Sequence, residues 1–253
     1  MDIIDQHKRP IGVFDSGVGG LTVLKELQAH FPEEDFVYYA DTLHVPYGNK
    51  TVEEVMLFSD MAVSWMIAHY NVKAVVIACH TSSACCAKLL QQKYSIPIID
   101  TIQATVQAVM HHAPSSLLLL GTKRTIKSKI HQQALIDAGY VGSIFLQACP
   151  EFVPFIENGI VDGNEIEQYV KNYCLLYEAE SIVYGCTHYP FIEKVIKKVV
   201  GPNIMLINPA LYIVNQVYAS VKKETNKQKG SVYFHVTGNY NAFMYCMNQL
   251  LNK

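Results

Sequence analysis

The chain has 253 residues, half of them apolar and 17% charged, which excludes a disordered or fibrous protein and leaves room for one large α/β domain or two smaller ones. A net charge of −2 supplies no basic stripe for phosphate backbones, so no nucleic-acid partner is expected. No apolar run reaches the ~18 residues of a membrane span, and the opening MDIIDQHKRP lacks a signal peptide's apolar segment, so no membrane association and a cytoplasmic location are expected.

In chain order, IGVFDSG reads as an apolar strand entering a glycine-rich turn, and Leu21 to His30 as a helix. FVYYADT is a second strand, followed by a helix from Val52 to His69. AVVIACHT is a third, followed by a helix from Ser83 to Lys93, and the strands IPIIDT and LLLLGT come next. Helices are expected from Thr125 to Ala138 and from Gly163 to Tyr177. SIVYGCTH then leads into a helix from Phe191 to Val200, and IMLINPA and SVYFHVTG complete the strands. KKETNKQKG, residues 222–230, reads as a solvated loop. Continuous rather than alternating apolarity implies strands buried on both faces, and their alternation with helices implies parallel βαβ units in a doubly wound fold. Ligands in such sheets sit beyond the carboxyl ends of the strands, where DSG, ADT, ACHT, LGT and GCTH fall. The segments AVVIACHTSS and SIVYGCTHYP echo each other, which favours two similar domains facing across a cleft.

Seven cysteines, at 79, 85, 86, 149, 174, 186 and 246, are odd in number and lack the spacing of a disulfide scaffold, so they read as free thiols in a reducing compartment. Cys79 and Cys186 each close a strand and precede a helix, where unpaired amides and the helix dipole would favour a thiolate. Zinc is an alternative, since Cys79, His80, Cys186 and His188 are suitable ligand types; adjacent Cys79 and His80 cannot normally reach one ion, however, and no CxxC pair is present. No cysteine-hydrolase signature and no lysine signalled for pyridoxal phosphate is visible. DSGVGGL matches neither the dinucleotide nor the Walker loop and reads as a tight turn exposing Asp15 and Ser16. In ADTLHVPYG, Pro46 and Gly48 shape a turn that would present Tyr47.

Taken together, DSGVGGLTVLKEL, ADTLHVPYGNKT, VIACHTSSA, LGTKRT, ACPEFVPFIE and YGCTHYPFI, spanning residues 11 to 192, closely resemble the ordered motifs of the glutamate racemases, in the aspartate/glutamate racemase family. The resemblance implies an α/β protein of two pseudo-symmetric doubly wound domains with mainly parallel sheets and the active site in the cleft between them. Residues 1–101 plus 209–253 would form the first domain, carrying Asp15 and Cys79, and residues 102–208 the second, carrying Glu157 and Cys186. Cys79 and Cys186 would be the catalytic thiols, assisted by Asp15, His188 and Glu157. Substrate contacts would fall on Asp15, Ser16, Tyr47, Gly48, His80, Thr81, Thr187 and His188.

The activity so implied is cofactor-independent and metal-independent interconversion of L- and D-glutamate, supplying D-glutamate for peptidoglycan, with the small-molecule substrate as partner and a homodimer allowed. One thiolate would remove the α-proton while the opposite thiol delivers one, Cys79 acting on the D form and Cys186 on the L form. The hydroxyls of Ser16, Thr81 and Thr187 and helix-start amides would stabilise the carbanion. An aspartate or hydantoin racemase and a non-catalytic amino-acid-binding protein are the alternatives; aspartate racemases commonly carry glutamate where GCTH has His188. The family usually reads CNT where this chain reads CHT, and Ser82 replaces a usual alanine. Since imidazole titrates near neutrality, His80→Asn is expected to retain racemisation and to shift its pH profile.

Overall fold

The structure, a computed structural model, describes residues 9–221 and 228–251; most of the KKETNKQKG segment lies outside the described residues. Two wholly parallel sheets organise the chain. The first has strands β1 (Ile11–Asp15), β2 (Phe36–Ala40), β3 (Ala74–Ile77), β4 (Ile98–Asp100) and β9 (Val232–Val236), in the order β4-β3-β1-β2-β9. The second has β5 (Ser116–Gly121), β6 (Ser143–Ala148), β7 (Ser181–Gly185) and β8 (Met205–Ile207), in the order β6-β5-β7-β8. Each sheet starts on a central strand, adds a neighbour on one side and then crosses to the other. The topological switch therefore falls between β1 and β3 in one sheet and between β5 and β7 in the other, so β4-β3-β1-β2 and β8-β7-β5-β6 share one topology, to which the first sheet adds β9.

Register makes the correspondence specific. Phe14 pairs with Ile77, so Asp15 lies level with Ala78, and Cys79 is one residue beyond that level. Gly121 pairs with Gly185, and Cys186 is one residue beyond. The echo between the two cysteine segments is thus a structural equivalence.

The helices are α1 (Leu21–His30), α2 (Val52–Tyr70), α3 (His80–Lys93), α4 (Thr101–His112), α5 (Lys123–Ser128), α6 (Ile130–Asp137), α7 (Phe152–Glu157), α8 (Asn164–Cys174), α9 (Glu193–Val200), α10 (Ala210–Ser220) and α11 (Tyr240–Leu251). α2 begins where Thr51 and Glu54 form a reciprocal capping box and ends at Asn71 in the left-handed conformation. α4, absent from the sequence reading, is started by Asp100, whose carboxylate accepts from the amides of Ile102 and Gln103. The single helix expected from Thr125 to Ala138 is two helices, because Lys129 adopts φ 55° and ends α5 before α6 begins.

Side chains on successive strand residues feed opposite cores. Ile11 and Val13 join Leu118 and Leu120 in an apolar cluster reaching both sheets, with Phe152, Ile192 and Ile213. Phe14, Val75 and Ile77 pack beneath α2 with Val55 and Met66, whereas Leu117, Leu119 and Val183 pack with Val109 and Leu135 of α4 and α6. β1 to β4 are buried at every position, which is why their sequences run apolar without alternation. β6, not anticipated from the sequence, is an edge strand whose residues are half-buried or exposed.

Candidate active site

The carboxyl ends of the two sheets share one narrow cleft, lined by Ser16, Tyr47, Gly48, Cys79, His80 and Thr81 from the first half and by Thr122, Val153, Cys186, Thr187 and His188 from the second. A larger surface hollow beside Lys25, Asp162 and Lys194 contains neither cysteine. The two thiols reach the shared cleft from equivalent strand tips.

Cys79 occupies the N-cap position of α3, so the first amides of that helix open toward the cleft. Its Sγ lies 3.8 Å from the Ser16 hydroxyl. The expected thiolate is corrected here: burial, with the nearby Asp15 charge adding to it, pushes the Cys79 thiol up to about 11, outweighing the backbone hydrogen bond from Ser82. The resting side chain is therefore a thiol. Cys186 is followed by a turn and a short 3-10 segment, Tyr189–Ile192, before α9, so it does not itself cap a helix. Its sulfur lies 3.7 Å from Nδ1 of His188, whose Nε2 is 2.6 Å from the Glu157 carboxylate. Burial alone would lower the His188 pKa, but the hydrogen bonds and charges of Cys186 and Glu157 prevail and hold it well above the ordinary imidazole value. A protonated His188 donates to both partners.

Asp15, expected to touch substrate, stands behind the cleft wall with no exposed surface. Its Oδ1 accepts from the Gly17 amide and its Oδ2 from the Thr187 hydroxyl at 3.0 Å. Burial raises its carboxyl to about 6, against the His188 charge and these two hydrogen bonds. Because the Thr187 hydroxyl proton points at Asp15, it is not free to stabilise a carbanion unless that contact breaks. Tyr47 is likewise anchored, its hydroxyl donating to Asp41 at 2.6 Å; Thr237 donates to the same carboxylate.

The glycine-rich turn admits neighbouring side chains. A Cβ on Gly17 would overlap the Glu157 carboxylate, and one on Gly19 would overlap the His188 ring and the Thr187 hydroxyl. Between them, the Val18 amide donates to Glu157 Oε1 at 2.9 Å. The close backbone approach expected of DSGVGG is made to Glu157 and His188, and it locks this hydrogen-bonded pair of the second half onto the first half's loop.

Sequence reasoning missed Thr122 and Val153 in the wall and Thr125, His131 and Asp41 behind it. Thr122 could have been found from the internal echo, since it stands one residue beyond β5 as Ser16 stands one beyond β1. The hydroxyls of Thr81, Thr122 and Thr125 form a closed cluster, with contacts of 2.9, 3.2 and 3.0 Å, joining the two halves. A Cβ on Gly48 would stand 2.6 Å from that of Thr122, so the absence of a side chain there allows the halves to close.

His80 is 4% exposed and its Nδ1 is 3.0 Å from Nε2 of His131. Burial first, and then the neighbouring His131, hold its pKa well below the usual imidazole range. The expected pH shift of His80→Asn is corrected accordingly: the variant should racemise glutamate with an unaltered pH profile between about pH 6 and 9, because His80 is neutral throughout that window. Rate profiles of the two proteins check this, and displacement of either limb by half a unit or more would contradict it. Cys79, His80, Cys186 and His188 do not gather into a metal site; among the described residues no three metal-ligating side chains do so.

Residues 21–217 match the Asp/Glu/Hydantoin racemase family. The chain is 39% identical over 242 residues to a glutamate racemase of Carboxydothermus hydrogenoformans, covering 93% of this chain and 89% of that protein. Among solved structures, glutamate racemase from Francisella tularensis in complex with D-glutamate superposes with a TM-score of 0.89 at 31% identity, covering 97% of this chain and 94% of that one. A glutamate racemase isoform from Bacillus anthracis gives a TM-score of 0.91 at 30% identity, covering 98% and 95%.

Proposed function

The chain belongs to the Asp/Glu/Hydantoin racemase family, and from that premise we propose that it interconverts L- and D-glutamate by proton transfers at Cys79 and Cys186. The observation that carries the reading is the equivalent placement of the two thiols, each one residue beyond the same register level of its sheet and both lining one cleft. In this reading the chain divides into residues 1–101 with 209–253 and residues 102–208, and the substrate lies between the two. A homodimer is compatible with the reading, and no step depends on one.

Racemisation breaks the Cα–H bond on one face, leaves its electron pair on the α-carbon and the adjoining carboxylate, and forms a new Cα–H bond on the other face. For the L form, Cys186 as thiolate takes the proton, with the protonated His188 donating to its sulfur, and the Cys79 thiol delivers one. For the D form the roles reverse. Cys79 must then lose its proton against burial and the Asp15 charge, which the substrate's own ammonium group offsets once bound. The Ser16 hydroxyl and the first amides of α3 are the groups placed to stabilise the carbanion. Glu157 acts through His188 and Asp15 through Thr187, while Tyr47, Gly48, His80, Thr81, Thr187 and His188 shape the substrate's surroundings.

Neither a metal nor an organic cofactor is required by these steps. D-glutamate made in this way serves bacterial peptidoglycan synthesis, and a cytoplasmic setting suits seven unpaired cysteines. No described helix is long and apolar enough to cross a membrane. Racemisation of L- and D-glutamate and of both aspartates, assayed without added cofactor and after chelator dialysis, tests the reading. Glutamate should turn over at least about 100-fold faster than aspartate, the discrimination typical of a fitted pocket. A preference for aspartate, or loss on chelation with recovery on zinc, would overturn it.

A further inference from the structure

His80 and His131 form a buried pair across the two halves, His80 opening α3 behind β3 and His131 lying in α6 between β5 and β6. Their rings are nearly parallel, 24° apart, and the Nδ1 of His80 meets Nε2 of His131 at 3.0 Å. One proton lies between those nitrogens, and it belongs to one ring or the other. If His80 donates, His131 must carry its own proton on Nδ1, which is buried and has no hydrogen-bond partner. If His131 donates from Nε2, its buried Nδ1 is a bare lone pair. A stranded N–H is the worse defect, so the second arrangement is favoured.

The consequence reaches the cleft, because two neutral imidazoles have only two protons to distribute. With Nδ1 accepting, His80 carries its proton on Nε2, which has no protein partner among the described residues, and His80 lines the cleft. An Nε2–H can only donate. Of the charged groups on an amino-acid zwitterion, it suits a carboxylate oxygen and not the ammonium.

We propose that His131 is a positioning residue that holds His80 in the Nε2–H form and so presents a hydrogen-bond donor to a carboxylate of the substrate. This rests on the reading of His80 as a substrate contact given above. Burial supports the neutral state of the pair, since it lowers His131 to about 4. The arrangement also accounts for a histidine at this position: its Nδ1 is fixed by a neighbour, which leaves the second nitrogen for ligand recognition.

Two kinds of measurement test the proposal. Long-range proton–nitrogen spectra of the full chain labelled with ¹⁵N-histidine report the tautomer of each ring without reference to activity. His80 should be protonated at Nε2 in the wild type and a mixture of tautomers in His131→Phe, which keeps a flat ring but removes the donor. In kinetics, His131→Phe should raise KM for glutamate about three- to fivefold, because only the Nε2–H fraction of a mixed-tautomer His80 donates to the carboxylate, with kcat within about twofold. His131→Gln, which restores an N–H donor, should recover most of the loss. In a His80→Asn background His131→Phe should change KM by less than about twofold, since the residue then has nothing to position.

An Nδ1–H tautomer of His80 in the wild type would overturn the proposal, as would equal damage from His131→Phe with and without His80, which marks a purely structural role. If the spectra agree but wild-type protein does not racemise glutamate, the functional reading fails while the tautomer assignment stands.

Discussion

Serine in place of Cys79 or Cys186 is expected to lower kcat/KM for glutamate racemisation by about 10²- to 10⁴-fold in both directions, the range lost when a positioned acid/base group is removed. Each direction requires a base on one face and an acid on the other, so either substitution disables both. A hydroxyl nearly preserves the size of the thiol. It is far less acidic, however, and neither His188 nor the amides of α3 can make it a comparable base. Both cysteines are 5% exposed and pack against groups that tolerate a hydroxyl, so the folded structure should survive, with circular dichroism and Tm close to those of the parent. Near-normal racemisation by either variant would remove that cysteine from the mechanism.

The second large effect is expected at a residue with no functional group. Gly19→Ala should lower kcat/KM by at least about 10²-fold, the penalty typical of catalytic groups displaced by about an ångström. The added Cβ would overlap Nδ1 and Cε1 of His188 and the hydroxyl of Thr187. The ring cannot retreat without lengthening its 2.6 Å contact with Glu157, and Thr187 cannot move without disturbing its bond to Asp15. Local overpacking of this kind also costs about 1–3 kcal/mol of stability. Urea unfolding together with steady-state kinetics separates the two effects: loss of stability with unchanged kcat/KM would mean that the His188 geometry is dispensable. Gly139 serves as a control against a general intolerance of side chains, because a Cβ there meets nothing within 4 Å, although its φ of +86° adds backbone strain.

Where strands are buried on both faces, as in β1 to β4, their apolar runs were legible, and so were the strand tips that carry Asp15, Cys79 and Cys186. β6 was not legible, although the equally half-buried edge strand β9 was, and the break at Lys129 was not because a left-handed lysine carries no mark in the sequence. The resemblance to glutamate racemases named the residues, but burial decides their states. Local context at Cys79 suggested a thiolate, and desolvation reverses that; His80 was read as titrating, and the same effect keeps it neutral. Partnerships between distant segments were also out of reach. Glu157 with Val18, Asp15 with Thr187 and His80 with His131 are each defined only once the two sheets face one another.

The central claim is that the two thiols serve opposite faces of one carbon, and exchange of the α-proton in deuterated water tests it most directly. Under single-turnover or prolonged incubation each serine variant retains one competent base. Cys79→Ser, with Cys186 intact, should exchange the α-proton of L-glutamate in strong preference to that of D-glutamate, and Cys186→Ser should show the reverse. A substrate analogue with a leaving group on the β-carbon should follow the same split, because elimination needs only the first proton transfer. If both variants prefer the same enantiomer, the two cysteines do not face opposite sides of the substrate and the account is wrong.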